Sequence, residues 1–142
     1  MGLPTHIHLH VVSADRSLVN EPQVDEVEVP GSDGYFGVLP GHTPLLATLQ
    51  VGTLWYRQGN EKHYLAIAFG FAEVQPDRVT ILAQIAERAD EVDVSRAEAA
   101  RKRAEARLRT PSADMDFERA KVALMKSLMR LQAAGNVRSR ST

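Results

Sequence analysis

The sequence predicts an α+β protein of two domains, an N-terminal antiparallel β-sandwich followed by a C-terminal antiparallel α-helical hairpin. Up to about residue 86, short apolar segments are separated by turn residues every 8 to 12 positions, which is typical of a sandwich or barrel. From about Glu87 the composition changes to Ala, Arg, Glu, Lys and Leu, which favour helices. We therefore place the sandwich at residues 1–88, the hairpin at 89–136 and a disordered tail at 137–142.

The strands are predicted from two-residue alternation and from the turn residues that bound them. In residues 5–12, Ile7, Leu9 and Val11 share one face, as alternate positions of a strand do. Turn chemistry is dense at residues 30–34 and recurs at 58–60 and 75–78. The predicted strands are residues 5–12, 24–29, 52–57, 64–69, 70–74 and 79–83.

Two helices are predicted from apolar residues three or four positions apart. The first stripe consists of Ala97, Ala100, Ala104 and Leu108, and residues 110–112 interrupt it. The second stripe consists of Phe117, Ala120, Leu124, Leu128 and Leu131. Gly135 and Asn136 predict a helix stop. The short connection favours an antiparallel hairpin.

Composition excludes several classes of protein. The 142 residues include no cysteine, which removes disulfides and thiolate chemistry, and the net charge of -1 gives no general attraction to nucleic acid or anionic lipid. We expect no secretory signal, because the first residues lack a basic n-region and an apolar h-region, and no membrane-spanning helix, because no apolar stretch approaches about 20 residues. The motifs of nucleotide hydrolases, serine hydrolases and zinc proteases are missing, so catalysis by this chain is not expected.

Residues 34–46 (GYFGVLPGHTPLL) are the most distinctive stretch, and they predict a tight, rigid loop between two strands. This segment resembles a signature of the ε subunit of bacterial F-type ATP synthase. Residues 68–83 (AFGFAEVQPDRVTILA) are similar to a second block of that family, and residues 92–97 (VDVSRA) resemble the nucleotide-contacting motif of some ε subunits. The resemblance spans about residues 5–134.

The resemblance implies a fold, a role and partners. The fold would be a sandwich of about ten strands followed by the hairpin. The subunit would lie in the central stalk, bound to the γ subunit and the c-ring, on the cytoplasmic face of the cell membrane and peripheral to it. It would couple proton flow to ATP synthesis and inhibit ATP hydrolysis, with an opened hairpin reaching the α and β subunits. No cofactor is required, and ATP is the implied regulatory ligand.

By the same resemblance, eight residues belong to a nucleotide site: Glu87, Val92, Asp93, Arg96, Ala97, Arg103, Lys126 and Arg130. Val92 and Ala97 would sandwich a purine, and a carboxylate would accept a hydrogen bond from its amine. Arg96 and Arg103 lie about two helical turns apart and so share a face that would meet a triphosphate. The simpler interpretation is that these charges are solvated beside Glu98 and Glu105.

Asp93 also has a structural interpretation, as the N-cap of the first helix. Ser95 is a rival cap, because Ser95 and Glu98 have the spacing of a capping box.

The resemblance makes Tyr35, Phe36 and His42 candidates for the subunit interface. For Tyr35 and Phe36 the alternative is core packing. For His42 it is a structural place in the loop, because no catalytic partners accompany this histidine.

His6, His8 and His10 alternate along the first strand and offer a possible metal site. We favour a solvated strand face, since no cysteine or carboxylate completes a ligand set, and we predict no metal.

The rival to the stalk subunit is a stand-alone ligand-binding sandwich whose hairpin serves oligomerisation. A metal-dependent enzyme built on the three histidines is a more distant alternative. Copurification with γ distinguishes the stalk subunit from both.

Overall fold

The structure is a computed structural model that describes residues 2–110 and 116–141, with side chains through residue 135. The elements follow the predicted order of strands and then helices. They are β1 (Ile7–Val12), β2 (Ser17–Val24), β3 (Glu26–Gly31), β4 (Gly34–Val38), β5 (Leu45–Gln58), β6 (Glu61–Gln75), β7 (Arg78–Arg88), a 3-10 turn (Ala89–Glu91), α1 (Val94–Arg109) and α2 (Phe117–Ser141).

The predicted fold class is confirmed. The seven described strands pair in the order β2-β1-β7-β6-β5-β3-β4, and every ladder is antiparallel except β1 with β7, which is parallel. The resemblance implied about ten strands. The described chain has fewer because β5, β6 and β7 are long, with 14, 15 and 11 residues.

The sequence analysis did not predict the two edge strands, β2 and β4. β2 contains Pro22 and several polar residues, and β4 falls in the segment that was predicted to be a loop. An edge strand pairs on one side only, so it tolerates proline and carries a weak apolar pattern. The loop proper is therefore shorter than predicted and lies between β4 and β5.

At one level of the sheet, each of the three long strands changes which of its two faces points into the core. We call this change the exchange of faces. We call the larger cluster of buried hydrophobic residues, which lies within residues 7–86, the main core. In β6, Leu65 and Ile67 face this core before the exchange, and Ala72 and Val74 face it afterwards. The same shift from odd to even positions occurs in β5, between Leu49 and Leu54, and in β7, between Ala83 and Ala86. The residues at this level are paired across the sheet: Val51 with Ala68, and Ala68 with Ile85. One continuous sheet thereby bends so that its two halves enclose the same core.

The exchange in β6 falls at Phe69 and Gly70, which the sequence assigned to two separate strands. Phe69 has φ 61° and Gly70 has φ 118°, both in the left-handed region. Pairing continues through the irregularity in one register, from Ala68 with Ile85 to Gly70 with Ala83. A Cβ on residue 70 would overlap the carbonyl oxygen of Leu82, so the close approach of β6 to β7 requires glycine here.

The hairpin packs through small side chains. α1 contacts α2, and α2 contacts β5 and β6. Ala97 and Ala104 are the buried residues of α1, and both belong to the stripe predicted for this helix. In α2 the predicted leucine stripe is partly wrong: Phe117 and Leu128 are exposed by 52% and 46%. Apart from Met129, the buried positions hold small residues, because α2 lies between α1 and the sheet: Ala120, Ser127, Ala133 and Ala134.

The second helix is longer than predicted. Its backbone is helical to Ser141, past the stop predicted at Gly135 and Asn136, so residues 137–141 are helical where a disordered tail was predicted. A single glycine costs a helix only about 1 kcal/mol, which the favourable residues around it can offset. Thr142 and most of the interruption predicted at residues 110–112 lie outside the described residues.

We expect Gly70→Ala to destabilise the full chain by at least about 2 kcal/mol, because it adds a left-handed penalty to an overlap with backbone. Gly37→Ala is the matched control, since that strand glycine is exposed and has nothing near an added Cβ. The control should change stability by no more than about 0.5 kcal/mol in urea unfolding. Equal losses in the two variants would contradict the packing argument.

Candidate functional site

A cavity lies where the end of β7, the 3-10 turn and both helices meet. Its volume is about 460 Å³. We call it the junction cavity, and its lining residues are Glu87, Glu91, Asp93, Arg96, Ala97, Ala100, Arg103 and Arg130. Six of the eight residues assigned to a nucleotide site by resemblance line this cavity, and they come from the end of β7, the first part of α1 and the more distant α2.

Two of the eight predicted residues are not among the lining residues. Val92 is half-buried in the turn, where its backbone N–H donates to the carbonyl of Ala89 at 3.3 Å. The Nζ atom of Lys126 lies 5.8 Å from the centroid of the Phe69 ring. These two residues therefore lie beside the junction cavity rather than in its lining.

Glu91 and Ala100 line the cavity but were not predicted. Ala100 follows Arg96 by one helical turn, so helical spacing alone could have identified it. Glu91 gave no such signal, since its position depends on contacts with distant arginines.

Asp93 is the N-cap of α1. Its Oδ1 atom accepts a hydrogen bond from the backbone N–H of Arg96 at 3.0 Å. The capping interpretation is thereby confirmed, and the rival cap at Ser95 is wrong because the helix already begins at Val94. Asp93 is also exposed to the cavity, so the cap and a ligand contact are compatible.

One ion pair joins the sandwich to the second helix across the cavity. The Nε atom of Arg130 lies 2.9 Å from Oε1 of Glu87, and the two side chains are 25% and 31% exposed. Each charge is thus neutralised by the other, and the pair holds α2 against the end of β7. Arg130 is therefore a structural contact as well as a wall of the cavity.

Glu91 is held by two arginines of the sandwich. Its carboxylate accepts from Arg16 and Arg88, each at 2.6 Å. The hydrogen bond from Arg16 is the main cause that holds the pKa of Glu91 below its usual range. Glu91 is consequently ionised near neutral pH, and it fixes the 3-10 turn from which α1 departs.

Arg96 and Arg103 differ from Arg130, the third arginine that lines the cavity. Among the described side chains, none forms an ion pair with either of them. The acidic neighbours that would neutralise them under the simpler interpretation pair elsewhere: Glu98 and Glu105 bind Arg101, and Glu105 also binds Arg109. Two uncompensated cations therefore stand on one concave wall, separated by the small side chains of Ala97 and Ala100.

The three interface candidates lie away from the cavity. Tyr35 is 50% exposed, and its hydroxyl accepts from the backbone N–H of Thr53 at 3.0 Å. Phe36 packs against the main core, in agreement with its alternative interpretation. His42 is half-buried, with Nδ1 2.7 Å from the carbonyl oxygen of Thr43. Exposed Leu39 and Leu46 nearby add to the apolar surface at this end of the sandwich.

The alternating histidines contact side chains of the neighbouring segment. His8 lies 2.5 Å from Asn20, His10 lies 3.2 Å from Ser17, and His6 lies 3.5 Å from Asp25. The described residues contain no group of three His, Cys, Asp or Glu side chains placed to hold a metal ion. In the same part of the chain, no helix has the length and apolar character that a membrane span needs.

Two family models cover most of the chain. The ATP synthase delta/epsilon chain beta-sandwich domain matches residues 6–89, and the delta/epsilon chain long alpha-helix domain matches residues 90–135. The chain belongs to the ATP synthase delta/epsilon family. The resemblance found in the sequence is thereby confirmed.

Curated relatives agree with this assignment over nearly their full length. The ATP synthase epsilon chain 2 of Syntrophotalea carbinolica is 49% identical over 131 residues, which cover 91% of this chain and 94% of that protein. The ATP synthase epsilon chain of Nitratidesulfovibrio vulgaris (strain DP4) is 43% identical over 130 residues, covering 92% and 96%. As an epsilon chain, the protein is a non-catalytic subunit of the central stalk, so the stand-alone module and the metal enzyme are set aside.

Solved structures agree on the fold. A chain in the cryo-EM structure of the Euglena gracilis mitochondrial ATP synthase, OSCP/F1/c-ring in rotational state 1, matches with a TM-score of 0.81 at 26% identity, covering 94% of this chain and 84% of that one. A chain in the Tetrahymena thermophila mitochondrial ATP synthase central stalk/c-ring structure matches with a TM-score of 0.60 at 12% identity, covering 94% and 99%, and supports the fold alone.

The pair Glu87 and Arg130 should stabilise the docked hairpin by about 1 kcal/mol, because a partly exposed ion pair retains only part of its Coulomb energy. A double-mutant cycle with Glu87→Gln and Arg130→Met, followed by amide exchange in α2, measures this coupling. The control cycle uses Glu105→Gln and Arg109→Ala, an i,i+4 pair within α1. Its coupling in the same α2 readout should be near zero, since it joins nothing to the sandwich. Equal couplings in the two cycles would show that the cross-domain pair has no special role.

Proposed function

We propose that this epsilon chain couples proton translocation to ATP synthesis and inhibits ATP hydrolysis through its hairpin, and that ATP in the junction cavity stabilises the closed form. By closed form we mean the hairpin packed on the sandwich, as in the structure. The observation that carries the proposal is the pair of uncompensated arginines on the cavity wall, Arg96 and Arg103.

The cavity offers what a nucleotide requires. A triphosphate carries several negative charges, and arginine guanidinium groups bind phosphate oxygens with charge-assisted hydrogen bonds. Arg96 and Arg103 lie on the same wall of α1 and have no internal partner to exchange for the ligand. The carboxylate of Asp93 would accept from the amine of the base, and Ala97 and Ala100 would leave room for the ring beside the helix.

The two predicted residues away from the wall have weaker roles in this proposal. Lys126 would contribute only after leaving the Phe69 ring, and Val92 would contribute through its place in the turn before the cap. ATP would act as a regulatory ligand, and its binding would require no additional cofactor.

The weak seam between the helices supports a hairpin that opens. Burial stabilises by about 25 cal/mol per Å² of apolar surface, and alanines bury little of it. If opened into continuous helix, residues 94–134 would extend about 60 Å at 1.5 Å per residue. This length would carry the arginines of α1 from the stalk towards acidic surfaces of the α and β subunits. A ligand bound only by the closed form would oppose opening by about 2.7 to 4.1 kcal/mol at 100 to 1,000 times its dissociation constant.

The sandwich end that carries Tyr35, Phe36 and His42 would meet the γ subunit and the c-ring. Half-exposed Tyr35, together with Leu39 and Leu46, gives this end an apolar surface suited to protein contact. The Euglena structure contains F1 and the c-ring, and the Tetrahymena structure contains the central stalk and the c-ring. The subunit would therefore lie at the cytoplasmic face of the cell membrane as a peripheral part of F1.

We expect the wild-type chain to gain thermal stability in millimolar ATP, and expect Asp93→Asn and Arg96→Ala to lose most of that gain. Asp93→Asn preserves an N-cap but removes the charge, and Arg96→Ala favours the helix but removes a phosphate contact. Each loss should weaken affinity by about 1.5 to 3 kcal/mol, or roughly 10- to 150-fold in calorimetric titration.

Lys102→Ala is the matched control for this experiment. Lys102 is an exposed cation of the same helix that does not line the cavity. The control should therefore bind ATP with nearly the wild-type affinity. If the wild type did not respond to ATP, or if the control lost as much affinity as the two variants, the nucleotide site would be contradicted. Asp93 would then only cap the helix, and Arg96 would only be solvated.

Deleting residues 89–142 should leave the synthase assembled and raise its ATP hydrolysis. The main core cluster lies entirely within residues 7–86, so we propose that residues 1–88 fold as a domain without the hairpin and keep the surface for γ. Hydrolysis by membranes carrying the truncated subunit, measured at low and high ATP, tests the inhibitory role. If the rate of ATP hydrolysis were unchanged at both ATP concentrations, the hairpin would have no inhibitory function.

A further inference from the structure

Phe69 has an unusual backbone conformation in the middle of β6. Its φ of 61° makes it the one non-glycine residue in the described part of the chain with a positive φ. Such a conformation is unfavourable for an L-residue relative to its extended alternatives. The surrounding structure must therefore supply interactions that hold Phe69 in it.

The consequence of this conformation is the direction of the side chain. Ile67, two residues earlier, faces the main core, and regular alternation would turn residue 69 the same way. The phenyl ring instead joins a second cluster on the outer face of the sheet, under α2. We call this cluster the hairpin seat, and on the sandwich side it consists of Val51, Tyr64, Ala66, Ala68, Phe69, Ile85 and Ala89.

The largest side chains on the sandwich side of the seat are Tyr64, Phe69 and Ile85. The three alanines of the seat are small, and α2 contributes buried Met129 and Ala133. An aromatic side chain buries far more apolar surface than an alanine does, so Phe69 supplies a large share of the contact. It also carries the contact with Lys126, whose Nζ lies 5.8 Å from the ring centroid, within the range of a cation–π interaction.

We propose that Phe69 is a positioning residue that anchors the hairpin to the sandwich. Its left-handed backbone turns an aromatic ring out of the main core, and the docked second helix covers that ring. The same contact holds Lys126 away from the junction cavity. The anchor does not depend on a ligand in that cavity, so it stands independently of nucleotide binding.

Phe69→Gly in the full chain tests the anchor. Glycine adopts the left-handed conformation without penalty, so this variant removes the ring and the strain together. Amide hydrogen exchange followed by mass spectrometry reports α2 and the sandwich strands separately. Exchange in α2 should become about tenfold faster or more, as expected for the loss of a half-buried aromatic contact. Exchange in β1 and β7 should stay the same or slow.

Two further variants complete the design. Phe69→Leu restores an apolar side chain and should recover part of the protection of α2. Phe71→Ala is the matched control, because Phe71 lies on the same strand, is 52% exposed and has no place in the hairpin seat. This control should leave exchange in α2 unchanged.

Two results would overturn the proposal. If Phe69→Gly accelerated the sandwich strands as much as α2, Phe69 would be an ordinary structural residue of the sheet. If exchange in α2 stayed within twofold of the wild type, or if Phe71→Ala accelerated it equally, the hairpin would be held by other contacts.

Discussion

The exchange of faces along the paired residues Val51, Ala68 and Ile85 is the constraint on which the rest of this molecule depends. A strand that alternated regularly over 14 or 15 residues would present one face to one core along its whole length. Here the shift lets a single sheet bend around the main core at both ends. It also leaves a patch of small and aromatic residues on the outer side, where the second helix docks.

The geometry of this bend is enforced by local chemistry. Gly70 lets β6 approach the carbonyl oxygen of Leu82, and Phe69 takes the left-handed conformation beside it. The bend, the outward ring and the position of α2 are consequently parts of one arrangement. A change at this level of the sheet is transmitted to the hairpin because packed side chains have no free volume in which to absorb it.

Charged residues at the junction between the domains are of two kinds, those paired within the protein and those left without an ion-pair partner. Glu87 with Arg130, and Glu91 with Arg16 and Arg88, are internal pairs that hold the helices and the turn in place. Along α1, Arg101 and Arg109 take up the available glutamates. Because these glutamates are already paired, Arg96 and Arg103 have no ion-pair partner among the described side chains. Their positive charge therefore faces the cavity. The small residues between the helices bury little apolar surface, so the seam itself contributes little to the docking of the hairpin.

Local sequence signals determined much of this protein. The change of composition near Glu87 placed the division between sandwich and helices, alternation gave the central strands, and the position of Asp93 before an apolar stripe gave the helix cap. These signals are local, because hydrogen bonding to a neighbouring N–H and the periodicity of side chains depend on residues a few positions apart. Three of the six predicted ligand residues that line the cavity come from the motif at residues 92–97, namely Asp93, Arg96 and Ala97.

Only the tertiary structure decided the features that depend on distant partners. The edge strands β2 and β4 carry weak patterns because each needs only one neighbour, and the continuity of β6 appears only when its pairing with β7 is known. The apolar stripe of α2 predicted its buried face only in part, since α2 packs between a helix and a sheet, where most of the buried positions hold small residues. Likewise, Lys126 lies over Phe69 and Arg130 binds Glu87 because the fold brings these side chains together. Sequence spacing measures distance along a chain, whereas charge pairing and packing depend on distance through space.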